Sequence, residues 1–329
     1  MSRTVQIALF IAALLLLHGA PSPAGAQDEN APAAWSPWGA GAPKLADTRF
    51  ISTPFFPDPF IRTVLRNNLG YGGARDLNLN LLEIDGEPVL GLEGDLLYAL
   101  LNIEYQFAVQ DWVAVWGNAG LSARLGTEIQ SLLAQGVSVL TGFELGWLIR
   151  VYKTDRHIVS TSVSLNNSSS TIIDIYGFVN RIIEDGGLEP DNKLVRDIPL
   201  MKGGLDLRYA FAANDMVGIQ VNGAAIYGES ADRTAGNTWS YALGALVHLD
   251  LYARTEVPLG FALGYKYLTL PNPADPSEAG ANLFLLNTSY TGRDDFACGI
   301  DFQYEKVPIP RFDEDANVFT VTASMWYYF

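Results

Sequence analysis

From Asp95 to the C terminus the chain is written in a period of two. Leu97, Ala99, Leu101, Ile103, Tyr105 and Phe107 fall on one face of an extended segment, and Tyr98, Leu100, Asn102, Glu104 and Gln106 on the other. Val137 to Val151 repeats the pattern on its odd positions, against Ser138, Gly142, Glu144, Gly146 and Arg150. Met201, Leu205, Leu207, Tyr209 and Phe211 alternate with Lys202, Asp206 and Arg208, and Trp239 to Leu249 with Ser240, Gly244, His248 and Asp250. Alternation of this kind marks strands with one apolar face. These runs exceed the five or six residues of an ordinary soluble strand, and they match strands tilted across a bilayer.

Connection lengths alternate too. Tight turns fall at Gln110-Asp111, Lys153–Arg156, Ala213–Asp215, Ala253–Glu256 and Gly292–Asp295, and longer links at 127–136, 166–197, 229–237, 271–280 and 306–316. Short turns at one end and long loops at the other define an up-and-down antiparallel barrel. About eleven strands follow Asp95. An even number with both termini on the periplasmic side requires a twelfth before them, for which 76–92 is the expected segment. Outward aromatics then sort into two belts. Tyr105, Phe107, Tyr209, Phe211, Tyr290 and Phe296 lie at the short-turn end, and Tyr227, Trp239, Tyr241, Tyr265, Tyr267 and Tyr304 at the long-loop end. Aromatic side chains favour both membrane interfaces.

Composition agrees. Apolar residues make up 49% of the chain although its formal net charge is −15, and mean hydropathy is +0.12. A closed barrel reconciles these values, because its backbone is satisfied between strands and only alternate residues need be apolar. Ahead of the barrel, Arg3, the apolar run Val5–Leu17 and Ala24-Gly25-Ala26 form a signal-peptide pattern, so residues 1–26 are expected to be removed. The expected organisation is signal peptide 1–26, an N-terminal periplasmic or plug segment 27–75, and an all-β transmembrane barrel 76–329 of about twelve strands. Short helices are expected in the N-terminal segment and the extracellular loops.

The tail TVTASMWYYF, with Met325, Tyr327 and terminal Phe329 on one face, resembles the signal that the barrel-assembly machinery reads in Gram-negative outer-membrane proteins. The layout also resembles the hydrophobic-compound transporters of the FadL and aromatic-degradation type, although the chain is shorter and lacks an Asn-Pro-Ala motif near its mature N terminus. The resemblance implies outer-membrane lipid, lipopolysaccharide and the assembly machinery as partners, and a small amphipathic or hydrophobic solute as cargo.

Three groups of residues are candidates for function. In the N-terminal segment, Asp58 with Pro59 and Gly70 reads as the start and end of a short helix. Ile61, Val64, Leu65 and Leu69 make its apolar stripe, with Arg62 and Arg66 on another face. This element is expected either inside the lumen as a plug or on the inner leaflet as an amphipathic helix. Thr127-x-x-Gln130 and Thr171-x-x-Asp174 read as N-termini of two outer-loop helices. Their apolar residues Leu132, Leu133, Ile172, Ile175, Tyr176 and Val179 form either a packed lid or a groove for an apolar ligand. The third group is the inward polar set: Glu104, Arg124, Glu144, Arg150, Lys202, Asp206, Arg208, His248, Asp250, Lys266, Asp301 and Glu305. Both signs are present, so these residues either line a solute path or pair into a network.

Other classes fit poorly. An acidic chain has no basic footprint for nucleic acid. Cys298 is the single cysteine, and neither a metal-ligand cluster nor a phosphate loop is visible, so no cofactor is expected. His157 and His248 have no serine nucleophile placed beside them at a strand's outer end, so an enzyme is not expected. The leading expectation is a channel for passive uptake. A structural or adhesive barrel with a plugged lumen is the alternative, and too little chain precedes the barrel for an autotransporter passenger.

Overall fold

In a computed structural model, residues 41–84, 87–126, 137–173, 195–229, 236–270, 279–308 and 315–329 are described. A two-residue ladder, β1 (Lys44–Leu45) with β2 (Thr48–Arg49), precedes twelve long antiparallel strands. These are β3 (Val64–Ile84), β4 (Glu87–Gln110), β5 (Val113–Gly126), β6 (Val137–Lys153), β7 (His157–Ile173), β8 (Val195–Ala212), β9 (Val217–Glu229), β10 (Asn237–Asp250), β11 (Leu259–Leu270), β12 (Ala279–Tyr290), β13 (Phe296–Pro308) and β14 (Asp315–Tyr328). Each pairs with its sequence neighbour, and β14 returns to β3 through Tyr328↔Val64 to Val318↔Ala74, which closes the barrel. Closure leaves no sheet edge, so every strand finds backbone partners without water.

Alternation decides which residues face in. In β10 the exposure pattern switches at every residue from Tyr241 to Asp250, with Ala242, Leu246, His248 and Asp250 buried and Leu243, Val247 and Leu249 exposed. The outward face carries Leu69, Leu101, Trp147, Leu205, Leu263, Phe302 and many like them. In water such a surface would aggregate; in hydrocarbon it is the stable face. Ring contacts follow the two belts. Tyr227 packs on Trp239 at 4.9 Å, Tyr265 on Phe284 at 5.1 Å and Tyr304 on Phe319 at 4.9 Å. Toward the short-turn end Phe296 meets Tyr327 at 5.3 Å, and His157 stacks on Phe211 at 4.7 Å. Met325, Tyr327 and Phe329 are all exposed on the outward side.

Three expectations are corrected. The twelfth strand begins at Val64 rather than at 76, and 76–92 spans the end of β3 and the start of β4. The helix expected over 58–70 is absent: residues 59–63 have no regular structure and Val64 onward is strand. Its apolar stripe also contained a period of two. Leu69 and Tyr71 are exposed while Arg66, Asn68, Gly70 and Gly72 are buried. Pairing with β14 satisfies eleven residues of backbone, which an isolated helix of three turns cannot match. Likewise β7 runs on through Ile173, so Thr171 and Ile172 belong to a strand and do not start a helix. Residues Leu132, Leu133, Ile175, Tyr176 and Val179 lie outside the described residues, as does the segment 1–26. The only helix among the described residues is α1 (Tyr252–Thr255), in the β10–β11 turn.

Candidate functional site in the barrel lumen

The chain between Ala42 and Thr63 runs inside the barrel at the short-turn end. Its backbone polar groups cannot reach bulk water, so each must find a partner on the wall. Inward side chains from strands around the circumference supply them. Gln106 Nε2 on β4 donates to the carbonyls of Phe60 and Arg62 at 2.9 and 3.1 Å. Ser160 Oγ on β7 donates to Pro59 O at 2.6 Å, and Arg208 Nη1 on β8 to Asp58 O at 3.0 Å. Gln220 Nε2 on β9 donates to Pro57 O at 2.7 Å, and Lys266 Nζ on β11 to Phe55 O at 3.3 Å. On β10, His248 Nδ1 accepts the Ile51 N–H at 3.1 Å. Arg49 ties the lower end to the carbonyls of Thr291, Arg293 and Phe296 in the β12–β13 turn.

Packing complements these bonds. Phe50 contacts Phe60 and the His248 ring, with centroids 5.2 and 5.1 Å apart, and lies among Leu45, Ile158, Ala210 and Ala212. Phe56 and Ile51 join Leu246, Ala262, Leu283 and Leu285 on β10, β11 and β12. The wall is made of glycine where these rings approach. A methyl added at Gly218 would lie 2.7 Å from Phe50, and one at Gly244 would lie 2.7 Å from Phe56.

Asp58 is the hub. It is buried, and its Oδ2 meets Arg62 at 2.7 Å and Arg66 at 2.9 Å. Its Oδ1 accepts the Phe60 N–H at 3.1 Å, and Ser52 Oγ donates to Oδ2 at 3.3 Å. Arg66 continues to Glu104, and Arg208 pairs with Asp206 at 2.7 Å. The Arg62 guanidinium lies over the rings of Phe60 and Tyr328, 5.1 and 5.2 Å from their centroids. Burial alone would raise the Asp58 carboxyl, but Arg62, Arg66, the Phe60 N–H and Arg208 together hold it at about 2.

Of the inward residues singled out from sequence, Glu104, Asp206, Arg208, His248 and Lys266 gather around this internal segment. Asp250 instead accepts the Thr291 hydroxyl at 2.9 Å and the Tyr252 N–H at 3.1 Å, fastening the barrel base. Arg150 pairs with Asp111 at 2.7 Å and borders a shallow groove with Lys44 and Asp47. Asp301 accepts from Asn287 at 2.9 Å and Ser324 at 3.1 Å. Arg124, Glu144, Lys202 and Glu305 face inward toward the long-loop end, where exposure is higher, and Glu144 is bonded to Ser164. Sequence reasoning took Asp58 only as a helix cap and missed Ser160, whereas Gln220 falls on the inward polar face that the alternation predicts. It also saw Arg62 and Arg66 only as one helix face, although the alternation of Arg66 and Asn68 with Leu65, Leu69 and Tyr71 was present.

An outer membrane channel from Pseudomonas putida F1 superposes on this chain with a TM-score of 0.52 at 11% identity, over 85% of this chain and all of that one. The fold is that of a bacterial outer-membrane β-barrel. A Pseudomonas aeruginosa FadL homologue gives 0.49 at 11% identity, over 88% of this chain and 97% of that one. The CymD monoaromatic hydrocarbon channel gives 0.41 at 12%, over 82% and 89%. No protein-family model and no curated protein sequence matches the chain. In an outer-membrane barrel the lumen is the path that leads across the bilayer, so whatever fills it controls passage.

Proposed function

We propose that this barrel is a channel for passive uptake of a small amphipathic or hydrophobic compound, gated by residues 42–63. Both termini face the periplasm in this reading, which puts the short turns inside and the long loops outside. The observation that carries it is the two-sided lining of the lumen. The β10–β12 wall carries an apolar patch, with Leu246, Leu283 and Leu285 around Phe56. The β7 wall presents a column of hydroxyls and one amide: Ser160, Ser162, Ser164, Asn166, Ser168 and Ser170. A solute with one apolar and one hydrogen-bonding side can exchange contacts with both walls, whereas a simple ion finds no field of single sign.

The internal segment blocks that path at the short-turn end through contacts that are numerous but individually small. The exception is the Asp58 hub, so movement of the segment depends on that one carboxylate. Liposome swelling and single-channel conductance test the proposal on a variant lacking residues 46–57, which retains β3 intact. Conductance and amphipathic-solute flux are expected to rise. If flux is unchanged for every solute, the barrel is a plugged structural or adhesive element and the transport reading is wrong.

A further inference from the structure

The inner wall formed by β13, β14 and β3 holds a second polar cluster, separate from the Asp58 hub. Its centre is Asp301, which is 0% exposed. Among the described residues no cation pairs with it; its partners are Asn287 Nδ2 and Ser324 Oγ. Across the ladder Thr322 stands opposite Asp301, and Asn68 stands opposite Ser324. Directly opposed residues have Cα atoms about 4.5–5.5 Å apart, which puts Thr322 beside Asp301 and Asn68 beside Ser324, itself bonded to Asp301. Thr322 Oγ1 leans toward Gly70, where an added methyl would lie 2.8 Å from it.

The hydrogen bonds of this patch run one way. Asn68 donates to Asn102 at 3.2 Å and Asn102 to Asn118 at 2.6 Å. Ser289 donates to Asn287 at 2.6 Å, and Asn287 to Asp301. Beyond the patch, Gln303 donates to Glu305 at 3.4 Å. Three oxygens of this wall, Asn68 Oδ1, Thr322 Oγ1 and Gln303 Oε1, are buried without a partner. Trp326 Nε1, also without a partner, sits one row lower among Val64, Ala297 and Tyr328. Buried oxygens without partners are costly beside a buried carboxylate with no countercharge. A bound cation resolves both at once.

We infer that Asp301, Thr322 and Asn68, bounded by Gln303, form a binding site for one hard monovalent cation of sodium size. All the ligands are oxygens, as hard cations prefer. The charge balance selects the valence. One carboxylate neutralises one positive charge, whereas a divalent ion would leave a net charge in a buried wall. Among the described residues no group of three acidic, histidine or cysteine side chains converges, so the site is not one for a transition metal. The ion would tie β13 to β14 and β3, the strands on either side of the barrel's closing seam.

Thermal unfolding of the full barrel in detergent tests this, followed by loss of its compact, heat-modifiable gel band. Sodium chloride replaces choline chloride at fixed ionic strength. The wild-type midpoint is expected to rise steadily with sodium, by mass action on the folded form. The Asp301→Asn barrel is expected to show no dependence, and Thr322→Val, which removes one neutral ligand and no charge, a shallower one. Equal sodium dependence in wild type and Asp301→Asn, or none in wild type, overturns the site. A larger response to calcium than to sodium overturns the charge-balance argument. Should Asp301→Asn fail to fold, an unchanged sodium slope in Thr322→Val overturns the proposal instead.

Discussion

The two halves of the lumen are lined by the same twelve strands, yet they are built differently. At the short-turn end the wall carries small residues and long donors: glycine where Phe50 and Phe56 approach, and Gln106, Arg208, Gln220 and Lys266 reaching for backbone carbonyls. At the long-loop end the same inward positions carry Leu140, Arg124, Glu144, Lys202 and Glu305, which are more exposed. Alternation builds the wall, whereas the choice of residue at each inward position decides what the wall can hold. Side-chain size and donor reach convert one stretch of barrel into a socket and leave the other as a vestibule.

The sharpest way to break this contrast is Asp58→Ala. It leaves Arg62 and Arg66 buried together without their shared carboxylate, which costs about 3–5 kcal/mol. The socket is expected to release its segment, seen as a large rise in open-channel conductance while the compact gel band persists. Phe56→Ala empties the apolar pocket at a cost of about 3 kcal/mol, and limited proteolysis at residues 50–60 should accelerate.

Acid is the next lever. The folded Asp58 titrates at about 2, below its ordinary 3.8. A depressed carboxyl contributes stability that is full above its unfolded value and fades as pH falls through its folded value. That contribution is about 2 kcal/mol, lost between roughly pH 4 and pH 2. Conductance of the wild type should therefore rise across this window, and an Asp58→Asn barrel should lack the rise. Gly218→Ala sharpens the comparison further, because the added methyl must displace Phe50 at a cost of about 1–3 kcal/mol. In the vestibule, Lys202→Met is expected to change unfolding by less than about 0.5 kcal/mol. It should leave gating intact and shift ion selectivity toward cations.

How far the sequence is legible follows the same division. The eleven strands after Asp95, their inward sides and the twelve-strand closure can be read from alternation, since each residue's side is set locally by the pleat. The first strand could not be placed so well. Leu65, Leu69 and Ile61 fit a period of 3.6 as well as one of two, and only pairing decides between them, with β4 on one side and with β14, more than two hundred residues away, on the other. The hub was hidden for a related reason. Asp58 looks like a helix cap, and its Oδ1 does bond the Phe60 N–H, but in a turn rather than a helix. Arg62 comes from the same segment and Arg66 from β3, where it stands opposite Glu104 across the β3–β4 pair, whereas Asp206 and Arg208 reach the hub from β8 only in the closed barrel. No spacing rule along the chain encodes that meeting.

The central claim is that the segment within the lumen is a gate. It is tested most directly by a reversible tether in a Cys298→Ala background. A methyl at Gly260 would lie 2.6 Å from the Ile51 side chain, so Ile51→Cys with Gly260→Cys should cross-link the segment to β11. Single-channel conductance is then measured in acid with oxidant and again after reductant. The channel is expected to stay closed when the tether is formed and to open in acid when it is broken. Equal acid-induced conductance in both states would contradict this.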